Sequence, residues 1–158
     1  MEFQVRKAIK NDMPSVLKLI NELAVYEREP DAVEVTVADL EKDGFGDQPL
    51  FNCFVAEAED KIVGMALFYN RYSTWKGKTI HLEDLIVNED YRGKGIGMQL
   101  YKKVMQFALE ENIKRVEWVV LDWNTPAVNF YKNTGASVFS EWDTVQFDQD
   151  SIKKFLNL

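Results

Sequence analysis

The chain has 158 residues, 46% of them apolar, and a formal charge of −7 at pH 7. This length suits one globular domain, and the acidic charge disfavours nucleic acids as partners while remaining compatible with a cationic ligand. No stretch approaches the ~18 consecutive apolar residues of a membrane-spanning helix, and the charged N-terminal residues do not form a secretory signal. We therefore expect a soluble, cytoplasmic protein with no membrane partner.

The first part of the sequence predicts a strand, two helices and then three strands. Residues 3–9 alternate as a strand, and Asp12, with Pro14 two residues further on, opens a helix whose apolar residues follow helical spacing. A second helix is predicted to start after Thr36 and to end at Gly44. Three neighbouring strands follow at 51–57, 61–75 and 79–87, the first two joined by the short polar turn at Glu59 and Asp60.

The rest of the sequence predicts a long helix followed by shorter elements. Apolar residues at helical spacing predict a helix that begins near Ile96 and ends near Asn112. The predicted elements after it are a strand at 115–121, a short helix between Pro126 and Gly135, and a last strand or hairpin at 137–147. The order β-α-α-β-β-β-α-β-α-β predicts a single α/β or α+β domain, residues 1–158, with a mixed sheet.

The chain contains one cysteine and one histidine, Cys53 and His81. A single cysteine forms no internal disulfide, and Cys53 lies in an apolar strand, so we expect a buried structural thiol. One cysteine and one histidine are too few for a His/Cys zinc site, so no metal is expected.

The stretch YRGKGIGMQL at 91–100 places three glycines between a strand and a helix. It is not a dinucleotide-binding fingerprint, because Met98 stands where the third glycine belongs, and it lacks the G-K-[ST] of a P-loop. Glycines at such a junction can turn successive N–H groups toward a pyrophosphate at the positive end of a helix dipole. From the loop alone, a tight turn with glycines that pack the helix remains the alternative.

Five segments, spread over nearly the whole chain, add to this interpretation of the glycine loop. They are LAVYE (23–27), EKDGFG (41–46), HLEDLIV (81–87), DYRGKGIG (90–97) and WNTPAVNFYKNTGA (123–136). The glycine loop resembles the acetyl-CoA loop of the GNAT superfamily of N-acetyltransferases, and the set resembles its diamine (spermidine/spermine) acetyltransferase family. The resemblance implies a GNAT fold with a mostly antiparallel mixed sheet flanked by helices, acetyl-CoA as co-substrate and a homodimer.

The resemblance also implies which residues hold acetyl-CoA. Backbone groups of the strand would meet the pantetheine arm, at Leu85, Ile86 and Val87. The glycine loop would hold the pyrophosphate, with Arg92, Gly93, Lys94, Gly95, Ile96, Gly97 and Met98. The other side of the co-substrate would be lined by Asn124, Thr125, Pro126, Ala127 and Tyr131.

Acetylation of an amine requires a base, because keeping an ammonium of pKa ~10.4 neutral at pH 7 costs ~4.6 kcal/mol. Glu83 and Asp84 are adjacent carboxylates in an apolar strand, and strand alternation predicts that they face opposite ways. The resemblance makes Glu83 the candidate base, acting directly or through water. From the residues alone, a strand-end ion pair is the alternative.

The thiolate leaving group requires a proton donor, and a tyrosine is suited to this role. Tyr131 follows Pro126 by five residues and matches the position of the proton-donating tyrosine of the family. Core packing is the ordinary role of an aromatic residue on a short helix, but the adjacent Phe130 can fill that role.

The resemblance gives Tyr26 and Glu27 as substrate-contacting residues, which suits a flexible polycation. The further substrate-binding candidates are Glu83, Asp84, Trp75, Glu117, Trp118 and Glu141, although tryptophans on strands are more often core residues. Ser73 and Thr74 replace the family's Asp-Pro, and Arg28 adds a positive charge beside Glu27. A shorter, lysine-like amine such as thialysine is therefore a rival to a long polyamine.

We expect an acetyl-CoA-dependent N-acetyltransferase that acts on a primary amine of a polyamine, a diamine or a lysine-like compound. One alternative within the same fold is acetylation of a protein lysine or N-terminus, which predicts turnover of peptides and not of free amines. The alternative from another class is a non-catalytic acyl-CoA-binding sensor domain that keeps the loop without the chemistry.

Overall fold

The computed structural model describes residues 1–158 and divides them into two compact units, residues 1–119 and 120–158. The first unit contains a five-stranded sheet and three helices: β1 (Gln4–Lys7), α1 (Met13–Tyr26), α2 (Val37–Phe45), β2 (Asn52–Ala58), β3 (Lys61–Ser73), β4 (Gly77–Val87), α3 (Ile96–Glu110) and β5 (Val116–Glu117). The second unit contains α4 (Thr125–Asn133) and α5 (Gln149–Phe155). None of the helices combines the length and the apolar character needed to cross a bilayer.

The sheet is mixed, as predicted, with spatial order β1-β2-β3-β4-β5. The first four strands pair antiparallel with their neighbours, and β5 pairs parallel with β4. The hairpins that the short turns predicted are therefore confirmed. The parallel strand requires a crossover, which α3 provides.

The two faces of the sheet are covered by different helices. The core on one face joins α1 and α2 to the sheet and includes Val16, Leu19, Leu67 and Cys53. Cys53 is buried, as predicted, and burial raises the pKa of its thiol to about 12. On the other face Phe107 of α3 packs edge-on against rings of β2 and β3.

The close approach of α3 to the sheet explains why residue 64 of β3 is a glycine. A Cβ placed on Gly64 of β3 would lie 3.1 Å from the Cδ1 of Leu100 and 3.4 Å from the Cγ2 of Ile96. A side chain at position 64 would require these two side chains and the Ile86 carbonyl, also 3.1 Å away, to give way. The glycine therefore keeps the N-terminal part of α3 close to the sheet edge from which the glycine loop emerges.

The C-terminal part of the chain departs from the sequence prediction. The strand predicted at 115–121 is formed only at Val116–Glu117, and the strand or hairpin predicted at 137–147 is absent. A strand needs a partner that completes its hydrogen bonds, and no strand forms within 120–158 to pair with it. Instead the chain forms α5, whose N-terminus is capped by Asp148 accepting from the Ser151 N–H at 2.7 Å.

Candidate active site

An irregularity in β4 determines where its carboxylates point. Leu67 of β3 lies opposite Asp84, but the next residue, Phe68, lies opposite Leu82. Glu83 therefore has no residue opposite it and forms a β-bulge. Bulges interrupt the alternation of side chains and occur often beside active sites, where they redirect a side chain.

The bulge brings Glu83 and Asp84 to the same face of the sheet. Asp84 shares the face of Leu67, which belongs to the core under α1 and α2. Glu83 contacts Tyr69 and His81, which lie opposite each other on that face. The prediction that the two carboxylates face opposite ways is wrong, because it assumed a regular strand.

Glu27, at the C-terminal end of α1, adds a third carboxylate to this group. Burial raises the pKa of Glu27, and the charge of Glu83 raises it further. Burial, with smaller contributions from Glu83 and Glu27, raises the pKa of Asp84 to about 7. The predicted residues Glu27, Glu83 and Asp84 thus form one carboxylate cluster, whose mutual repulsion a cationic ligand would relieve.

The raised pKa of Asp84 predicts a pH-dependent gain in stability when its charge is removed. Since the unfolded chain ionises near pH 3.9, the native state binds more protons between about pH 4 and 7, and stability falls as pH rises through this window. We expect Asp84→Asn to raise the free energy of unfolding by roughly 3 kcal/mol at pH 8, and by little at pH 4. Urea unfolding at the two pH values measures this. Equal effects at both values, or a gain of the same size in the exposed control Asp143→Asn, would contradict the assignment.

Tyr26 and Glu22 connect the end of α1 to the glycine loop. The Arg92 guanidinium lies over the Tyr26 ring, 5.5 Å from its centroid, and 3.6 Å from the Glu22 carboxylate. Glu22 also accepts hydrogen bonds from the Asn88 side chain and the Glu89 N–H, both at 3.0 Å. The start of the loop is therefore fixed to the helix that carries Tyr26 and Glu27.

The glycine loop has the backbone that an anion-binding turn requires. Gly93 and Gly95 have φ angles of 73° and 83°, the left-handed region that other residues rarely adopt. Gly95 is the N-cap of α3 and provides no side chain to satisfy the first N–H groups of the helix, and the first turn carries no acidic residue. These N–H groups and the helix dipole suit a pyrophosphate.

The two basic residues of the loop make contacts within the first unit. Arg92 donates from Nε to the Val87 carbonyl at 2.8 Å, and Lys94 donates to the Asp90 carbonyl at 3.0 Å. Lys94 also lies over the Tyr91 ring. Both positive charges therefore remain beside the glycines.

The edge of β4 that precedes the loop has no strand beside it. β5 pairs with β4 only at Ile80–Val116 and His81–Glu117. Along Leu85–Val87, β4 is paired with β3 alone. An extended arm such as pantetheine could add to this edge through backbone hydrogen bonds, as the resemblance implies for Leu85, Ile86 and Val87.

Two glycines with the same backbone conformation allow a matched test of the loop. Gly95 and the hairpin residue Gly77 have φ angles of 83° and 86°, and a Cβ at either position would meet no atom within 4 Å. Alanine at either position should cost ~1–2 kcal/mol of strain. We expect Gly95→Ala to raise the Kd for acetyl-CoA about tenfold, because the strained loop turns its N–H groups away. Calorimetry measures this, and an equal rise in Gly77→Ala would exclude a specific role for the loop.

The second unit carries the predicted residues from Asn124 onward. Asn124 caps α4 by accepting from the Ala127 N–H at 3.4 Å. Tyr131 lies on α4, half-buried, with its ring edge-to-face with Phe130 at a centroid distance of 5.5 Å. Glu141 is exposed and accepts from the Ser140 N–H.

Three substrate-binding candidates of the first unit lie apart from the carboxylate cluster or are engaged elsewhere. Trp75 is 81% exposed in the β3–β4 turn, and Glu83 is six residues along β4 from the end of this turn, about 20 Å away. Glu117 is paired with Arg71 at 3.0 Å. Trp118 packs edge-to-face on Tyr101 of α3.

Two residues of the site, Tyr69 and His81, were not assigned to it from the sequence. The Tyr69 hydroxyl donates to the Glu83 carboxylate at 3.2 Å, and His81 Nε2 lies 3.4 Å from the same oxygen. The spacing of His81 and Glu83, two apart on a strand, could have placed them on one face. The part played by Tyr69 depends on the register of β3 against β4, which the sequence does not reveal.

Comparisons with known proteins agree with this geometry. A family model described as "Acetyltransferase (GNAT) family" matches residues 13–136. The thialysine N-epsilon-acetyltransferase of Bos taurus is 38% identical over 161 residues, covering 95% of this chain and 95% of that protein. The human spermidine/spermine N(1)-acetyltransferase-like protein 1 is 39% identical over 160 residues, and this chain spans 95% of its own length and 23% of that protein.

A solved structure supports the fold. An integron cassette protein from the mobile metagenome of V. cholerae matches with a TM-score of 0.80 and 26% identity, over 100% of this chain and 99% of that one. The mixed sheet, the bulged strand and the glycine loop thus define an N-acetyltransferase fold. The chain belongs to the GNAT acetyltransferase family, whose members take the acetyl group from acetyl-CoA.

Proposed function

We propose that the protein transfers the acetyl group of acetyl-CoA to a primary amine of a small cationic compound, a polyamine, a diamine or a lysine-like amine such as thialysine. The observation that carries this proposal is the cluster of Glu27, Glu83 and Asp84 on one face of the sheet. An ammonium is attracted to such a cluster and finds a base within it.

Acetyl-CoA fits the residues of the first unit. The N–H groups from Gly93 to Met98 would hold the pyrophosphate, Arg92 and Lys94 would add positive charge, and the edge at Leu85–Val87 would hold the pantetheine arm. When bound, acetyl-CoA supplies an activated acetyl thioester. The residues assigned to the other side of the co-substrate, Asn124–Ala127 and Tyr131, are proposed from the resemblance.

Two residues are proposed to move protons. Glu83 accepts a proton from the ammonium, directly or through water, so that the neutral amine can attack the thioester carbon. Tyr131 donates a proton to the sulfur when the carbon–sulfur bond breaks, and its hydroxyl is restored by the second proton that the nitrogen loses after the carbon–nitrogen bond has formed. The acetyl group passes directly to nitrogen, without a covalent intermediate on the enzyme.

A thiol-release assay with acetyl-CoA across several acceptors tests the proposal. We expect release with one or more of spermidine, spermine, putrescine, thialysine and lysine, and none with a histone-like peptide. Release with the peptide alone would favour the protein acetyltransferase. Binding of acetyl-CoA without release for any acceptor would favour the acyl-CoA sensor.

Removing the charge of Glu27 should weaken binding of the acceptor amine without affecting binding of acetyl-CoA. Glu27→Gln keeps the shape of the side chain but removes one carboxylate of the cluster. We expect the KM for a dicationic acceptor to rise about tenfold, which corresponds to ~1.4 kcal/mol, with no change in the KM for acetyl-CoA. The matched control is Glu29→Gln, an exposed carboxylate two residues further on. If the acceptor KM stays constant, Glu27 does not bind the amine.

We also propose that the chain works as one catalytic domain in a homodimer. The family match crosses the boundary between the two units, which supports a single domain. The second unit exposes large apolar side chains, including Phe139 at 69% and Trp142 at 76%, which supports burial against a second copy. The free buried thiol of Cys53 suits a reducing compartment, and we propose the cytoplasm.

A further inference from the structure

Two aromatic side chains lie beside one oxygen of the proposed base. Tyr69 donates its hydroxyl to Oε2 of Glu83 at 3.2 Å, and Nε2 of His81 lies 3.4 Å from the same atom. The two rings pack on each other with centroids 5.3 Å apart. The Glu83 side chain is 50% exposed, so without these contacts it would be free to adopt several rotamers.

The other nitrogen of the imidazole indicates where the proton of His81 resides. Nδ1 of His81 is buried and has no hydrogen-bond partner. A proton on Nδ1 would leave a buried donor unsatisfied, which costs more than an unsatisfied acceptor lone pair at the same place would in a neutral ring. A proton on Nε2 faces the Glu83 carboxylate, which is a strong acceptor.

We propose that His81 is a positioning residue for Glu83, a neutral imidazole that donates from Nε2 and, together with Tyr69, aims the carboxylate at the amine. This inference rests on the proposed role of Glu83 as the base. A neutral donor holds the carboxylate without cancelling its charge, so Glu83 still attracts the ammonium and still accepts its proton.

The same geometry argues against a proton relay through His81. A relay would need the imidazole to take the proton from Glu83 at Nε2 and release one from Nδ1. Nδ1 has no acceptor to receive that proton, so the route ends inside the protein. Glu83 is half exposed and can release its proton to water without the imidazole.

Two substitutions distinguish His81 as a hydrogen-bond donor from His81 as a proton relay. His81→Phe keeps a ring packed on Tyr69 but cannot donate, whereas His81→Gln offers an amide donor but cannot take up a proton. We expect His81→Phe to lower kcat about tenfold and to leave the KM for acetyl-CoA unchanged. The loss is smaller than the 10²–10⁴-fold rate enhancement that a general base contributes, because the base itself is still present. We expect His81→Gln to remain within about twofold of the wild type. Equal losses in both variants, or no loss in His81→Phe, would overturn the proposal.

A double-mutant cycle distinguishes positioning of the base from a structural role. In a Glu83→Gln background, His81→Phe should lower kcat no further, because the base that it positions is gone. An independent tenfold loss in that background would overturn the proposal even if the single variants behave as expected. If Glu83→Gln alone leaves kcat unchanged, the proposed base itself is wrong, which is a separate failure.

A spectroscopic test does not depend on catalysis. His81 is the only histidine, so nitrogen NMR of protein labelled in histidine gives the signals of this one ring. At neutral pH we expect a protonated Nε2 and a bare Nδ1. A proton on Nδ1, or on both nitrogens, would overturn the inference whether or not an acceptor amine has been found.

Discussion

Tyr131→Phe should lower kcat about a hundredfold, the lower end of the range for general acid catalysis, and leave the Kd for acetyl-CoA almost unchanged. The substitution removes one hydroxyl oxygen and keeps the ring that packs on Phe130. Without a proton donor, the sulfur must leave as a free thiolate, which raises the barrier of the step that breaks the carbon–sulfur bond. Steady-state kinetics with a fixed acceptor, together with calorimetry for acetyl-CoA, measure both quantities.

Tyr72→Phe is the matched control for this variant. Tyr72 is 77% exposed on β3 and loses the same hydroxyl without any proposed part in the reaction. Its kcat should equal that of the wild type. An unchanged kcat in Tyr131→Phe would remove Tyr131 from the acid role, and a raised Kd with an unchanged kcat would assign it to binding of the co-substrate instead.

Glu83→Gln should lower kcat by about a hundredfold when the acceptor is a protonated amine, because the amide cannot accept its proton. Glutamine keeps the length of the side chain and can still contact Tyr69 and His81. The loss should shrink as the pH approaches the pKa of the amine, where a larger share of the acceptor is already neutral. Rates measured over a pH series separate this effect from a loss of substrate binding.

Glu59→Gln serves as the control for loss of a carboxylate in the same unit. Glu59 is exposed in the β2–β3 turn and accepts a hydrogen bond from Tyr91. Its kcat should not change. A deficit in Glu83→Gln that is the same at every pH would mean that Glu83 positions the amine and does not take its proton.

Local patterns in the sequence were sufficient to predict most of the sheet and the conformation of the glycine loop. Strand-like apolar runs bounded by polar turns located β2, β3 and β4, and the short connections between them predicted their antiparallel pairing. Gly93 and Gly95 adopt the left-handed backbone for which glycine is suited. These features depend on neighbouring residues, which is why the sequence predicts them.

Features that depend on pairing between distant residues were not predictable in the same way. The bulge at Glu83 exists only because β3 and β4 change register there, and a regular strand would have separated Glu83 from Asp84. Tyr69 joins the site through the same register. The residues at 137–147 are suited to a strand, but no partner strand pairs with them. The pattern of side chains alone therefore predicted a strand that does not form.

Direct transfer of the acetyl group to an amine is tested by mass spectrometry of both acceptor and enzyme after incubation with acetyl-CoA and each candidate amine. We expect one acetyl group on the amine nitrogen, and no acetyl group on the enzyme when the amine is omitted. An acetylated enzyme that passes its acetyl group to added amine would contradict direct transfer. Acetyl-CoA binding with no acetylated amine among polyamines, diamines and lysine-like compounds would contradict the assignment of the carboxylate cluster as the acceptor site.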